Sequence, residues 1–252
     1  MAQHSGIEWT GATWNPLTGC VKTSAGCMNC YAERMSRRLQ AMRNPSYING
    51  FQPSIHERLF DIPLQWKTSR MIFVNSMSDL FLDEFSDEVI RRLFDVMRRA
   101  HWHTFQILTK RTERLSRMSG ELTWPPNIWM GATVESGEYR FRIDDLRETG
   151  ASIKFLSMEP LLGPVADLDL KGINWVIAGG ESGPNARPMA REWVISIRDE
   201  CMSGDIPFFF KQWGGVNKKK AGRHLEGRLW EGMPEPFEHL GGTASLFRVL
   251  CD

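Results

Sequence analysis

A chain of 252 residues is long enough to bury a large core without disulfides or metals as staples, and one α/β domain is the simplest expectation. With 31 Lys and Arg against 30 Asp and Glu, its net charge of +1 gives no global attraction for nucleic acid, so any such contact has to be local. The first residues lack the basic start and apolar core of a signal peptide, and no apolar run reaches the roughly 20 residues of a spanning helix. A cytoplasmic protein without a membrane partner is therefore expected.

Glu8 to Trp14 reads as a first strand. It leads into Trp14-Asn15-Pro16-Leu17-Thr18-Gly19-Cys20, with Cys27, Cys30 and Tyr31 following. Three of the five cysteines thus fall at Cys20, Cys27 and Cys30, spaced Cys-x6-Cys-x2-Cys. Two intervening residues let consecutive thiolates reach one centre, and Gly19 and Gly26 let the longer gap fold back. A reducing compartment and an odd cysteine count favour metal ligation over a disulfide framework. Three thiolates are an incomplete set. Either a histidine such as His4 or His56 completes a Cys3His zinc site, or a 4Fe-4S cluster keeps one iron free. The alternative without a metal is three buried, hydrophobic thiols.

Ala32 to Arg43 has the spacing of a helix, with Met35, Leu39 and Met42 on one face. Its positive N-terminal end stands beside anionic thiolates. Asn44 to Lys67 carries Pro45, Pro53 and Pro63 without periodicity and reads as an irregular insertion over the site. From there a strand-helix pattern repeats. Strands are expected at Met71–Ser76, Phe105–Lys110, Ile128–Glu135, Ile153–Glu159, Trp175–Glu181 and Pro207–Gln212. Helices are expected at Ser86–Ala100, Thr112–Met118, Tyr139–Glu148 and Arg191–Met202. Cys201 shares an apolar helix face with Trp193, Val194 and Ile197 and is expected in the core; Cys251 has no argument for ligation.

Seven short apolar strands, mostly separated by helices, point to a parallel α/β sheet: a partial (β/α) barrel or a doubly wound sheet. Polar residues gather at the strand C-terminal ends, the functional face of either architecture. Residues 1–214 are expected to form one barrel-like domain, with the cysteine loop at 14–31 and a C-terminal extension at 215–252 packed on it. The triplet Lys218-Lys219-Lys220 reads as a solvated loop or a contact to an anionic substrate.

The cysteine loop, Asn75-Ser76-Met77-Ser78-Asp79-Leu80-Phe81, Leu108-Thr109-Lys110-Arg111, Ser157-Met158-Glu159-Pro160-Leu161, Gly179-Gly180-Glu181-Ser182-Gly183 and Lys211-Gln212-Trp213-Gly214 together resemble the uncharacterised three-cysteine-motif family of phages and prophages. The resemblance spans nearly the whole chain. More distantly, three cysteines after the first strand of a partial barrel resemble the radical S-adenosylmethionine enzymes. That second resemblance implies a 4Fe-4S cluster on Cys20, Cys27 and Cys30 whose free iron chelates S-adenosylmethionine, and an electron donor that triggers its cleavage to a 5'-deoxyadenosyl radical. The usual spacing there is Cys-x3-Cys-x2-Cys, so this loop is longer. The Gly-Gly-Glu turn common after the second strand is replaced here by Asn75-Ser76, and Gly179-Gly180-Glu181 supplies the motif later.

An iron-sulfur enzyme of this type, acting on a substrate that includes nucleotides and nucleic acids among its candidates, is the leading expectation. Asn75, Ser76, Thr133, Glu135, Ser157, Glu159, Gly179, Gly180 and Glu181 are then candidates for cofactor contacts. Asp79, Lys110, Arg111 and Lys211 are candidates for the substrate side. The competing expectation is a non-enzymatic accessory protein with a structural zinc site, binding nucleic acid or a protein through Arg34, Arg37, Arg38 and Lys218 to Lys220.

Overall fold

The computed structural model describes residues 5–235. The first strand, β1 (Ala12–Trp14), runs into a two-residue strand β2 (Leu17–Thr18), the cysteine loop and helix α1 (Tyr31–Ala41). The expected irregular insertion holds two 3-10 turns (Pro45–Tyr47 and Glu57–Leu59), a short strand β3 (Ser54–Ile55), antiparallel to β2, and one turn of helix α2 (Ile62–Gln65). The repeating part then follows: β4 (Met71–Val74), α3 (Asp87–Arg99), β5 (Thr104–Thr109), α4 (Thr112–Ser119), β6 (Ile128–Thr133), α5 (Phe141–Arg147), β7 (Ile153–Met158), β8 (Trp175–Gly179), α6 (Arg191–Ser203) and β9 (Phe208–Gln212). A single turn, α7 (Lys218–Ala221), lies beyond the sheet.

Seven strands pair in parallel in the order β1-β4-β5-β6-β7-β8-β9, which is chain order, and they form a curled half-barrel flanked by helices. Successive parallel neighbours are joined by crossovers that return the chain to the same end of the sheet, so every strand presents its C-terminal end on one face. The edge strands β1 and β9 do not pair with each other.

Alternation along the strands divides the core in two. One set of side chains, including Val74, Ile107, Met130, Leu156, Ala178 and Phe210, joins the large core that takes in Leu93, Leu115, Ile143 and Ile197 of the helices. Cys201 belongs to that core, as its helical position suggested. The other set, Phe73, Trp129, Phe155, Trp175, Ile177 and Phe209, packs with Trp9 as a separate aromatic cluster on the opposite sheet face. Trp9 meets Phe73 edge-on with ring centroids 4.8 Å apart and Trp175 at 6.1 Å. Three of the ten tryptophans, Trp9, Trp129 and Trp175, thereby fill this face of the sheet.

Helix α1 departs from the usual arrangement. It buries only Ala32 and Ser36, whereas Met35 is 40% and Met42 66% exposed. Only Leu39 of the expected apolar face packs inward, against a small cluster of Ala32, Tyr47 and Met77.

Candidate functional site

The chain leaves β2 through Gly19, whose φ of +81° lies in the left-handed region and whose missing Cβ would collide with the backbone carbonyl of Gln52. The Cys20 amide then donates to the Phe51 carbonyl at 3.2 Å, so the insertion does cover the start of the cysteine loop. A 3-10 turn (Ala25–Cys27) follows, and Cys30 stands at the N-cap of α1. Cys20, Cys27 and Cys30 are free and half-buried. The helix begins beside the third cysteine, as the sequence indicated.

Strand-end residues hold this loop from three sides. At the end of β5, the Thr109 hydroxyl donates at 2.7 Å and the Lys110 amide at 3.0 Å to Asp79 of the segment after β4, which also pairs with Arg111 at 3.2 Å. Arg111 so oriented donates to the Val21 carbonyl at 2.6 Å and lies 3.8 Å from the Cys20 sulfur. After β6, the fully buried Glu135 accepts from the Ser24 hydroxyl and from Arg142 at 2.7 Å, with Lys110 Nζ at 3.6 Å. A Cβ on Gly26 would stand 2.5 Å from Glu135 Oε1, so glycine lets the loop lie directly on the carboxylate. Tyr139 accepts the Ala25 amide at 3.1 Å, and its ring carries the Arg142 guanidinium at 4.4 Å. After β8, Glu181 takes Arg187 at 2.5 and 2.9 Å and the Asn29 side chain at 2.9 Å. Arg187 also reaches the Ala25 carbonyl at 3.0 Å.

These surroundings set the thiols apart. Burial pushes the Cys20 thiol up to about 12, helped by the Asp79 carboxylate and only partly opposed by Arg111. Burial also raises Cys27, but hydrogen bonding from the Thr23 backbone, the Lys110 ammonium and Ser24 outweigh it and bring that thiol below its ordinary range. Burial likewise works against the charge on Glu181, yet the hydrogen bonds from Arg187 and Asn29 hold its carboxyl down at about 2.

A second group lies on the concave sheet face. Ser157 donates to Glu159 at 3.3 Å, and Glu159 pairs with Lys211 at 3.0 Å. A Cβ on Gly179 would come within 2.9 Å of Glu159 Oε1, so the ion pair passes close over bare backbone. The Thr133 hydroxyl, paired in register with Ser157, is buried without a hydrogen-bond partner among the described residues. Gly180 instead lies against the Trp213 carbonyl. Asn75 and Ser76 are turn residues: Asn75 adopts φ +55° and accepts the Leu17 amide at 3.2 Å, while Ser76 donates to Asn15 at 3.1 Å and its carbonyl accepts from Tyr31.

The three cysteines, Asp79, Lys110, Arg111, Glu135 and Glu181 are thus brought to the loop, and Thr133, Ser157, Glu159, Gly179 and Lys211 to the sheet face. The sequence did not single out Ser24, Asn29, Tyr139, Arg142 or Arg187, which complete the clamps. Among the described residues, no three His, Cys, Asp or Glu side chains form a group that could hold one metal ion. His56 is engaged 2.8 Å from the Thr18 hydroxyl, and His4 lies outside the described residues. Arg34 is bonded to the Ser182 carbonyl at 2.9 Å and Arg37 to Glu33 at 2.7 Å; the side chains of Lys218 and Lys219 and all of Cys251 lie outside the description.

The match to a known family covers residues 4–234, the half-barrel with both groups of strand-end residues. The chain belongs to the family described as protein of unknown function DUF5131. Membership in DUF5131 spans nearly the full length, the extent the sequence motifs implied, and it carries no assignment of source or reaction. No curated protein and no solved structure matches the chain. No helix among the described residues is long and apolar enough to cross a membrane.

Proposed function

We propose that the protein is an iron-sulfur enzyme of the radical S-adenosylmethionine type, with Cys20, Cys27 and Cys30 as ligands of a 4Fe-4S cluster. The observation that carries the reading is the clamped loop: residues following three different strands fix eleven residues bearing three thiols at the C-terminal end of the half-barrel. The donor set fits such a group. A mononuclear zinc site would need a fourth ligand beside the three thiols. A cluster gives each thiolate its own iron, so the sulfurs need not converge. When bound, the cluster and its cofactor would supply a one-electron cleavage that starts radical chemistry.

The chain's own contribution is positioning. Arg111, Lys110 and the Ser24 hydroxyl bring positive charge and hydrogen bonds to thiols that have to ionise before they can ligate. Glu135 and Glu181 spend both their oxygens on arginines and on the loop, which makes them positioning residues in this reading. Thr133, Ser157, Glu159 and Lys211 are left to face a cofactor, with one unpaired hydroxyl, one carboxylate and one ammonium suited to a ribose and an amino-acid moiety. The aromatic floor of Phe155 and Trp175 keeps water from the concave side.

Protein purified without oxygen is expected to be brown and to carry about four irons per chain. Single replacement of Cys20, Cys27 or Cys30 by Ala should abolish iron retention, and Cys201→Ala should not. Reduced protein should bind S-adenosylmethionine and release 5'-deoxyadenosine slowly. Colourless protein with one zinc overturns the proposal, and a reducible cluster that never cleaves the cofactor removes the radical assignment while keeping the three ligands.

A further inference from the structure

A cavity of about 370 Å³ opens beside the cysteine loop, between residues 21–23, the segment after β4 and the starts of α4 and α5. That volume is in the range of small-molecule sites. Its wall carries Lys22, Lys110, Arg111, Arg114, Arg117 and Arg142, six cations against three carboxylates that are all exposed. Of the acids that pair with these cations, Asp79, Glu135, Asp87 and Glu33 lie off the wall, and only Asp83, 3.9 Å from Arg114, lies on it among the described residues. Arg117 is exposed and enters no hydrogen bond or ion pair among the described residues.

Two further features narrow the ligand. Helix α4 opens onto the cavity with no side chain capping its N-terminus, so the positive end of its dipole lies at the cavity beside the exposed Glu113. On the same wall Phe141 is 48% exposed, a flat apolar ring among cations, while the buried Nε of Arg142 has no partner among the described residues. A phosphate answers the first feature and a planar ring the second.

We propose that this cavity binds a nucleoside phosphate, with the phosphate at the start of α4 beside Lys110, Arg111 and Arg117 and the base against Phe141. A mononucleotide is favoured over a strand because the net charge of +1 offers no extended field for a polyanion. The assignment goes beyond the iron-sulfur reading and holds whether or not the loop carries a cluster.

Isothermal titration of the full-length protein with inorganic phosphate, adenosine, a panel of nucleoside 5'-monophosphates and a ten-nucleotide single strand tests it. At least one monophosphate is expected to bind more tightly than either phosphate or adenosine. Arg117→Ala should weaken both phosphate and nucleotide about tenfold, the loss of one charge-assisted contact. Phe141→Ala should weaken the nucleotide roughly five- to a hundredfold and leave inorganic phosphate unchanged. Both side chains are exposed, so the variants are expected to keep the wild-type unfolding midpoint, which is measured alongside. Affinities unchanged in both variants, or no saturable nucleotide binding at millimolar concentration, overturn the site. A strand that binds more tightly than every monophosphate overturns the mononucleotide assignment.

Discussion

At the scale of single residues, the strand-end carboxylates divide by what they touch. Glu159 keeps one lysine and one serine on an open face, whereas Glu181 is enclosed by Arg187 and Asn29. Because the folded Glu181 carboxyl sits at about 2 against an ordinary 4.5, its stabilisation is fully present above pH 4.5 and is lost as the pH falls through about 2. Allowing for solvent screening, it is worth about 2 kcal/mol. Arg187→Ala should therefore lower stability near neutral pH by about that amount and flatten its acid dependence between pH 4.5 and 2, as measured by urea unfolding at a series of pH values. An acid profile parallel to that of the wild type would show that the pair contributes nothing.

At the scale of elements, the sheet sets its own packing rules. Gly131 in β6 lies under the Phe155 ring of its neighbour β7, and a Cβ there would collide with that ring. Gly131→Ala should cost about 1–3 kcal/mol in denaturant unfolding through overpacking, with the fold retained. The seven strands were legible in the sequence because a parallel strand covered on both faces reads as a short apolar run, and Phe105–Leu108 or Trp175–Ala178 has no other use. Helix α1 was legible as a helix but not in its environment. Periodicity puts Met35 and Met42 on one side without saying whether anything covers that side, and here nothing described does. The clamps were not legible at all. A glutamate at a strand end reads alike whether it meets a ligand or an arginine, and Arg142 and Arg187, seven and six residues beyond their partners, belong to no motif. A fourth ligand was not legible either: of the two histidines named for it, His56 stands 2.8 Å from the Thr18 hydroxyl and His4 lies outside the described residues.

At the scale of the whole molecule, the half-barrel is open between β1 and β9, and the cysteine loop is the segment that crosses its mouth. Bonds from Asn29 to Glu181, Arg34 to the Ser182 carbonyl and Arg187 to the Ala25 carbonyl join the chain after β1 to the chain after β8. Ser24 joins the same loop to β6 through Glu135, and Arg111 to β5 through the Val21 carbonyl. The loop has little apolar burial of its own, with Val21 and Met28 both exposed, so its order has to come from these polar ties. Each charge-assisted bond is worth about 1.5–3 kcal/mol, enough to change a local opening constant about tenfold or more. Glu135→Gln and Arg187→Ala should therefore each speed amide exchange across residues 20–30 of metal-free protein at least about tenfold, while β6 and β8 exchange as in the wild type. If the loop were instead held by the β2–β3 strand pair and the Phe51 carbonyl, exchange would stay slow in both variants. Because the readout needs no iron, it separates the mechanical role of the clamps from the identity of whatever the thiols bind.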